Sequence, residues 1–378
     1  MKPTRSLLLP LLALILSITL ALSLPLIAGA EAPGHSQPPP EPAAIAASST
    51  VDTLAPGINP LTGLAVEDLQ VLERRPLAIK ITNHPRYVRP QYGLTKADIV
   101  YEYYLEYGLT RYIAMFYSQE AERVGPVRSA RFFDIHLVRM YKSAFVFANA
   151  DRRVLDQFLK TDLVNLFVVE RPDNCPPMCR DPWVQGYNNL FTETKGVRQY
   201  VRDERHADDV KQDLEGLAFS AQPPAGGIWG RKIETTFSPY SYHYWEYDEA
   251  GGQYLRYQDT ADNFGEGEFY APLMDELTGR QVSADNVVVL LIPHWYVKKS
   301  PEIISMHIWG SGPAYVFRDG VMHKAIWGRA ERDSTLTLTQ YDGTPYPLKP
   351  GRTFFEVVGK TSQVWQFGDR WRFDFQIP

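Results

Sequence analysis

Apolar and polar positions alternate along much of the chain in short runs, a pattern that indicates many β-strands. In the first half, three such runs predict strands at residues 77–82, 97–105 and 111–117. A helix is predicted after the Gly125-Pro126 break, because apolar residues from Phe133 onward recur at helical spacing. Shorter helices and strands follow. Strands that alternate with helices indicate a mixed α/β N-terminal domain over residues 58–222.

The second half has a different pattern. Tyr, Trp, Thr and Val become more frequent, and turn residues recur at short intervals. The apolar runs predict strands at residues 235–247, 253–258, 287–292, 303–309, 314–318, 336–339 and 353–358. Gly310 to Gly312 is interpreted as a hairpin turn between two of them. These features predict a mainly antiparallel, all-β C-terminal domain over residues 226–378, and the whole chain is expected to be α+β.

The N-terminus has the features of a secretory signal. Lys2 and Arg5 precede an apolar run, and Ala28-Gly29-Ala30 is a small-residue cleavage site. Residues 1–30 are therefore interpreted as a signal peptide, with an uncleaved membrane anchor as the alternative. Residues 31–57 are rich in Pro and Ala and are expected to form a disordered tether. The protein is thus expected to be extracytoplasmic, either secreted or tethered at the cell envelope.

Composition excludes some functions. The formal net charge of -5 argues against a nucleic-acid-binding protein, which would need a basic surface. The eight histidines never fall into a metal-ligand spacing, and no nucleotide or cofactor motif is present. The sequence therefore predicts no metal and no cofactor. A membrane contact is expected only through the N-terminal segment, if that segment is not removed.

The two cysteines, Cys175 and Cys179, lie in the sequence CPPMC. Outside the cytoplasm a disulfide between them is expected, and it would close a small loop. Half of a metal site is the alternative, but the chain has no further cysteine to complete one.

The densest group of charged residues lies between residues 75 and 134. Arg128, Ser129 and Arg131 lie near the predicted helix start, where free N–H groups and the helix dipole favour an anion. Together with Arg111 they are candidate ligands of a carboxylate or phosphate. The alternative is that these arginines pair internally with Glu102, Glu106 or Asp134, as buried charges must.

Two further groups complete the candidate site. Asn83, Arg89 and Gln91 lie in a loop bracketed by prolines, where binding residues are common. Glu102 is a candidate acid or base. Its distance from Glu106 along one strand is about 13 Å, too far for the usual pair of glycosidase carboxylates, so catalysis would need a second carboxylate from elsewhere.

Several ordered motifs resemble the YerB-like family of bacterial envelope lipoproteins, which are built on a domain of unknown function followed by a smaller C-terminal domain. The motifs are NPLTGL from Asn59, RPLAIK from Arg75, RPQYGL from Arg89, ADIVYE from Ala97, VGPVRSAR from Val124, GSGPA from Gly310 and LKPGRT from Leu348. The resemblance implies a two-domain extracytoplasmic protein and supplies no catalytic residue. A lipoprotein needs a cysteine at its cleavage site, and this chain has none there.

Three functions are consistent with these residues. The first is a binding or scaffolding module for an anionic or glycan component of the cell wall or envelope, or for an envelope protein. The second is a hydrolase or transferase acting on envelope glycan, with Glu102 as acid or base. The third is a purely structural role, in which the charged residues form an internal salt-bridge network.

Overall fold

The structure is a computed structural model that describes residues 55–207 and 209–378. The predicted signal peptide or anchor and nearly all of the predicted tether lie outside the described residues. Within the described ranges, no helix combines the length and the apolar content needed to cross a membrane.

The first half of the fold mixes strands with short helices. Its strands are β1 (Leu77–Thr82), β2 (Ile99–Tyr104), β3 (Thr110–Phe116), β4 (Ala144–Phe147), β5 (Phe167–Val169), β6 (Met178–Arg180) and β7 (Leu190–Thr192). Its α-helices are α1 (Asp134–Met140), α2 (Arg152–Phe158) and α3 (Thr194–Asp203). Single turns of 3-10 helix lie at Leu69–Glu73, Arg86–Val88, Leu94–Lys96 and Val164–Leu166.

The second half contains strands and, among the described residues, no helix. The strands are β8 (Ala218–Phe219), β9 (Ile228–Trp229), β10 (Lys232–Ser238), β11 (Ser241–Asp248), β12 (Gln253–Asp259), β13 (Tyr270–Pro272), β14 (Met274–Asp275), β15 (Arg280–Gln281), β16 (Ser283–Ala284), β17 (Asn286–Ile292), β18 (His294–Lys299), β19 (Glu302–Met306), β20 (Gly310–Arg318), β21 (Val321–Arg329), β22 (Thr337–Thr339), β23 (Pro347–Leu348), β24 (Thr353–Gly359), β25 (Gln363–Phe367) and β26 (Arg370–Asp374). The predicted α+β class, with a mixed first half and a β-rich second half, is confirmed.

The two halves share one large sheet. Its strand order is β22-β21-β20-β17-β24-β2-β3-β1-β4-β5, with β9 paired to β21, so β24 of the second half lies beside β2 of the first. A second sheet has the order β13-β12-β11-β10-β26-β25, with β16 paired to β12. All described residues belong to one compact unit. The predicted domain boundaries, 58–222 and 226–378, stay a prediction.

The hairpin of β2 and β3 lies in the middle of the large sheet. Its residues are mostly β-branched or aromatic, which suits a strand buried on both faces. The connecting turn has a positive φ at Tyr107 and at Gly108, +55° and +80°, a conformation that glycine adopts without steric cost. Tyr103 lies opposite Arg111 in this pairing, while Glu102 lies opposite Tyr112. Successive side chains of a strand point to opposite faces, so the hairpin supplies polar groups to both faces of the sheet.

Two sequence predictions differ from the fold. The run 235–247 is a hairpin of β10 and β11, because the chain turns at Pro239-Tyr240 without the Gly or Asn that usually marks a turn. Gly310 to Gly312 begins β20 instead of forming a turn. A Cβ on Gly312 would lie 2.7 Å from Nε1 of Trp327, so glycine is needed there for the close approach of that ring.

Candidate functional site

A cluster of four cations lies on the face of the large sheet that carries Tyr103 and Arg111. We call Lys80, Arg111, Arg128 and Arg131 the cationic cluster. Lys80 comes from β1 and Arg111 from β3, and the other two come from the segment between β3 and α1. Two carboxylates, Glu106 and Asp134, contact this cluster.

Arg131 is the member that is fully paired. Its Nε donates to Oε2 of Glu106 at 2.7 Å, and its Nη2 donates to the other carboxylate oxygen. Its backbone N–H also donates to Oδ2 of Asp134 at 2.8 Å. Burial would lower the pKa of Arg131, but the hydrogen bonds and charge of Glu106 outweigh burial and raise it. The negative charge of Glu106 is therefore compensated by Arg131.

Lys80 and Asp134 form a fully buried pair. The Lys80 Nζ lies 3.0 Å from Oδ1 of Asp134, and both side chains have 0% exposure. The Tyr103 hydroxyl hydrogen-bonds to the same carboxylate oxygen. Burial lowers the pKa of Lys80 to about 7, against the opposing effect of Asp134, and the charges of Arg111 and Arg131 lower it further. Lys80 thus resists a full positive charge in surroundings that already contain two arginines.

Arg111 has no carboxylate partner among the described residues. Its Nη1 donates to the backbone oxygen of Ser129 at 2.8 Å. Burial and the charge of Arg131 lower the pKa of Arg111 to about 9, although Glu106 opposes them. The Ser129 hydroxyl makes no hydrogen bond within the part of the chain that the structure describes.

Arg128 has no partner at all for its side chain among the described residues. Its Nε is buried without a hydrogen-bond acceptor, while the residue as a whole is partly exposed. Burial lowers the pKa of Arg128, and the nearby charge of Arg131 lowers it further. Burying part of a guanidinium without an anion costs free energy. The cationic cluster therefore carries positive charge that no carboxylate among the described residues compensates.

The helix start itself contributes less than the sequence predicts. The helix α1 begins only at Asp134, and Phe133 at its N-cap makes no side-chain capping bond. Arg128 and Ser129 precede it in an extended segment, where Val127 bridges Ile81 and Ala130 bridges Ala150. Helix N–H groups therefore do not supply the predicted anion contacts, and the side chains of Arg111, Arg128 and Arg131 are the remaining candidates.

The three loop residues predicted with the arginines belong to a different network. Asn83 and Gln91 are 0% exposed. Asn83 donates to Oε1 of Glu102 at 3.1 Å, and Gln91 donates to the backbone oxygen of Thr82 at 3.1 Å. Arg89 donates to the Asn83 backbone oxygen and to Asp259 of β12. Arg89 also lines a cavity of about 280 Å³. These residues join the loop to the second sheet.

Glu102 lies in a buried ionic network between the two sheets. Arg256 donates to Oε2 of Glu102 at 2.5 Å and to Oε1 of Glu356 at 3.2 Å. Nε2 of His243 lies 2.6 Å from the same Glu356 oxygen. All four side chains have 0% exposure. A polymer of sugars has no access to Glu102 in this structure.

The electrostatics of this network favour the ionised form of Glu356. Burial would raise the pKa of Glu356, but His243 and Arg256 outweigh it and lower the pKa to about 2. Glu102, His243 and Glu356 offer ligand atoms within 4.8 Å of one another, so a metal could be considered. The guanidinium of Arg256 already contacts both carboxylates and supplies the positive charge that a metal would bring. The residues therefore fit an ionic network better than a metal centre.

Sequence reasoning missed three members of this network, namely His243, Arg256 and Glu356. His243 and Glu356 are 113 positions apart, and only the pairing of β24 with β2 brings Glu356 beside Glu102. No local motif signals such a contact.

The predicted cysteine pair is not a member of either charged group. Cys175 and Cys179 are joined by a disulfide. Cys179 lies in β6, and Cys175 lies three residues before that strand. A cavity of about 680 Å³ is lined by polar residues of both halves, including Lys96, Glu122 and Arg352. It contains none of the residues predicted for the site.

Comparisons with known proteins give one consistent relationship. Residues 61–208 match the family described as the N-terminal domain of a protein of unknown function (DUF3048), and residues 233–355 match its C-terminal domain. The YerB protein of Bacillus subtilis (strain 168), whose name classes it provisionally as a lipoprotein, is 28% identical over 310 residues, covering 79% of this chain and 85% of that protein. The crystal structure of YerB from Bacillus subtilis is similar with a TM-score of 0.66 and 25% identity, covering 80% of this chain and 96% of that one.

Proposed function

Because the chain belongs to the YerB-like family, whose DUF3048 domains have no assigned function, we propose that it is an extracytoplasmic binding module. The cationic cluster holds an anionic group of a cell-wall or envelope component, or of an envelope protein. Arg111 and Arg128 contact the anion, and Arg131 and Ser129 border it.

One observation carries this proposal: Arg111 and Arg128 have no carboxylate partner among the described residues, although they lie beside a third arginine. In a purely internal salt-bridge network, carboxylates would be expected to balance the cations. Here Glu106 forms an ion pair with Arg131, and Asp134 forms one with Lys80. A bound carboxylate or phosphate would supply the missing charge through short, charge-assisted hydrogen bonds.

The rigidity of the surroundings also supports binding. Arg111 lies on a central strand, and its guanidinium is held by the Ser129 carbonyl. The backbone N–H of Arg128 donates to the backbone oxygen of Lys80 at 3.0 Å, so little chain has to be ordered when a ligand binds. The glycan-hydrolase alternative has weaker support, since Glu102 is fully buried and ion-paired with Arg256.

An envelope location is part of the same proposal. The N-terminal sequence has the pattern of a secretory signal, and the relative in Bacillus subtilis is provisionally named a lipoprotein. Because this chain lacks a cysteine at the expected cleavage site, we propose secretion or attachment through the apolar segment.

The test is a calorimetric titration of the full-length chain with poly-L-glutamate, a plain polymer of carboxylates. Arg128→Ala is expected to weaken binding about tenfold, because one charge-assisted contact is lost. Lys324→Ala is the matched control: Lys324 is exposed on β21, unpaired among the described residues, and five strands from β3, about 24 Å away. Absence of binding, or an equal effect of both substitutions, would overturn the proposal.

A further inference from the structure

Three aromatic side chains on and beside the loop between β6 and β7 are largely exposed to solvent. Tyr87 is 68% exposed, Trp183 is 91% exposed and Tyr187 is 82% exposed. We call these three residues the aromatic patch. Large rings left this open cost free energy in water, and groups of them mark binding surfaces.

Contacts tie the patch to Arg128. The Tyr87 hydroxyl accepts a hydrogen bond from Nδ2 of Asn188 at 2.9 Å. Asn188 directly follows Tyr187 in the chain. A Cβ on Gly186 would lie 3.8 Å from the same hydroxyl. The backbone N–H of Val127, next to Arg128 in the chain, donates to the backbone oxygen of Leu190 at 2.7 Å, and Leu190 at the end of this loop pairs with Arg180 of β6.

The loop that carries Trp183 and Tyr187 is held in place before any ligand binds. It connects β6 to β7, and Asp181 at its start accepts from the backbone N–H of Trp183 at 2.9 Å. Nη2 of Arg123 donates to the same carboxylate at 2.6 Å. The loop closes where the N–H of Asp181 donates to the backbone oxygen of Asn189 at 2.7 Å. Rings on a fixed loop lose little conformational entropy on binding.

The surroundings of the rings are polar. Gln185 is exposed and Asn189 is partly exposed. The aliphatic residues of the loop are Pro182, which is exposed, and Val184, which is partly covered. The core of a protein–protein interface is instead continuous and apolar. Separate rings in a polar surface match a ligand that has apolar C–H faces between hydroxyl groups, which is the chemistry of a sugar chain.

We infer that the ligand is an acidic polysaccharide, whose carboxylate or phosphate groups bind the cationic cluster while its sugar rings stack on the aromatic patch. This inference rests on the proposed function, because it names the class of ligand for the same surface. The two contributions can be measured separately, because the arginines bind the anionic groups and the aromatic rings stack on the sugar rings.

The experiment compares two polymers that carry similar carboxylates, polygalacturonate and poly-L-glutamate, in titrations with the full-length chain. Trp183→Ala and Tyr187→Ala are each expected to weaken polygalacturonate binding about tenfold and to leave polyglutamate binding unchanged. Trp365→Ala is the control, because this ring is 47% exposed on β25 and belongs to the other sheet.

Each outcome separates the two proposals. If the ring substitutions change neither polymer, or if polygalacturonate does not bind, the sugar inference is wrong, while a loss caused by Arg128→Ala with polyglutamate still supports the binding function. If the ring substitutions weaken both polymers equally, the patch binds peptide and the inference is overturned. If Arg128→Ala changes the affinity for neither polymer, the cationic cluster is not the anion site, and both proposals are wrong.

Discussion

Glu102 and Tyr103 follow one another in β2, yet their side chains join separate charged networks on opposite faces of the large sheet. Glu102 pairs with Arg256 of the second sheet, and Tyr103 hydrogen-bonds to Asp134 at the start of α1. The strand thus divides one dense run of charged residues into two parts. The part around Glu102 is internally paired and buried, and the part around Tyr103 has cations in excess. This division is why we assign a structural role to one and binding to the other.

The buried network around Glu102 predicts a large loss of stability when Arg256 is removed. Arg256→Met leaves Glu102 and Glu356 buried without their shared guanidinium, and the free energy of unfolding is expected to fall by about 3–5 kcal/mol. Urea denaturation followed by circular dichroism measures this change. Lys324→Met, an exposed change of the same kind, is expected to cost less than about 0.5 kcal/mol. Equal effects of the two substitutions would mean that Arg256 contributes no more than a surface residue.

The same network predicts a specific sensitivity to acid. The pKa of Glu356 is lowered from an ordinary value of 4.5 to about 2, so the unfolded chain takes up a proton in that interval and the folded chain does not. Stability from this group is present above pH 4.5 and is lost as the pH falls towards 2. Glu356→Gln is expected to be less stable at neutral pH and to lose stability less steeply in acid. A parallel pH profile of the two proteins would contradict this.

Glu106 distinguishes a binding site from an internal salt bridge. In Glu106→Gln, Arg131 loses its carboxylate, which raises the excess of positive charge in the cationic cluster. We expect poly-L-glutamate to bind more tightly, by up to about fivefold, or about 1 kcal/mol. Calorimetry measures the change. Weaker binding in a correctly folded variant would show that Glu106 supports the ligand, against our assignment.

Lys80 predicts a rise of stability towards alkaline pH. Its pKa is about 7 in the folded protein, against an ordinary value of 10.5, so between these values the unfolded chain holds a proton that the folded chain lacks. The free energy of unfolding therefore increases with pH across this window. Lys80→Met is expected to flatten the increase, as measured by urea denaturation between pH 7 and about 10. An unchanged slope would mean that Lys80 stays protonated in the fold.

Features set by neighbouring residues were predictable from the sequence. The strand at residues 77–82 coincides with β1, since a short apolar run between turn signals has few other solutions. The proximity of Arg128, Ser129 and Arg131 follows from their spacing. The sequence places the helix start near Arg128 and Arg131, whereas α1 begins at Asp134, because apolar spacing from Phe133 does not reveal that the preceding segment is extended.

Features set by the pairing of distant strands were not predictable. The sequence suggests the nearby arginines as partners of Glu102, whereas its partner in the fold, Arg256, is 154 positions away in the chain. The grouping of Asn83 with the arginines followed from sequence proximity. Asn83 instead bonds to Glu102 and Thr110, on the opposite face from Arg111. A shift of one residue in a strand reverses the face, so this separation depends on the exact register.

The central claim is that the unpaired guanidinium of Arg128 contacts an anionic ligand, and NMR spectroscopy tests it directly. The full-length chain labelled with ¹⁵N-arginine would be titrated with poly-L-glutamate, and the Arg128 Nε–H signal would be assigned from its loss in Arg128→Lys. We predict that this signal shifts in proportion to the bound fraction, since its Nε has no acceptor among the described residues without ligand. Saturation of the protein with polymer while the Arg128 signal stays unshifted would contradict the claim.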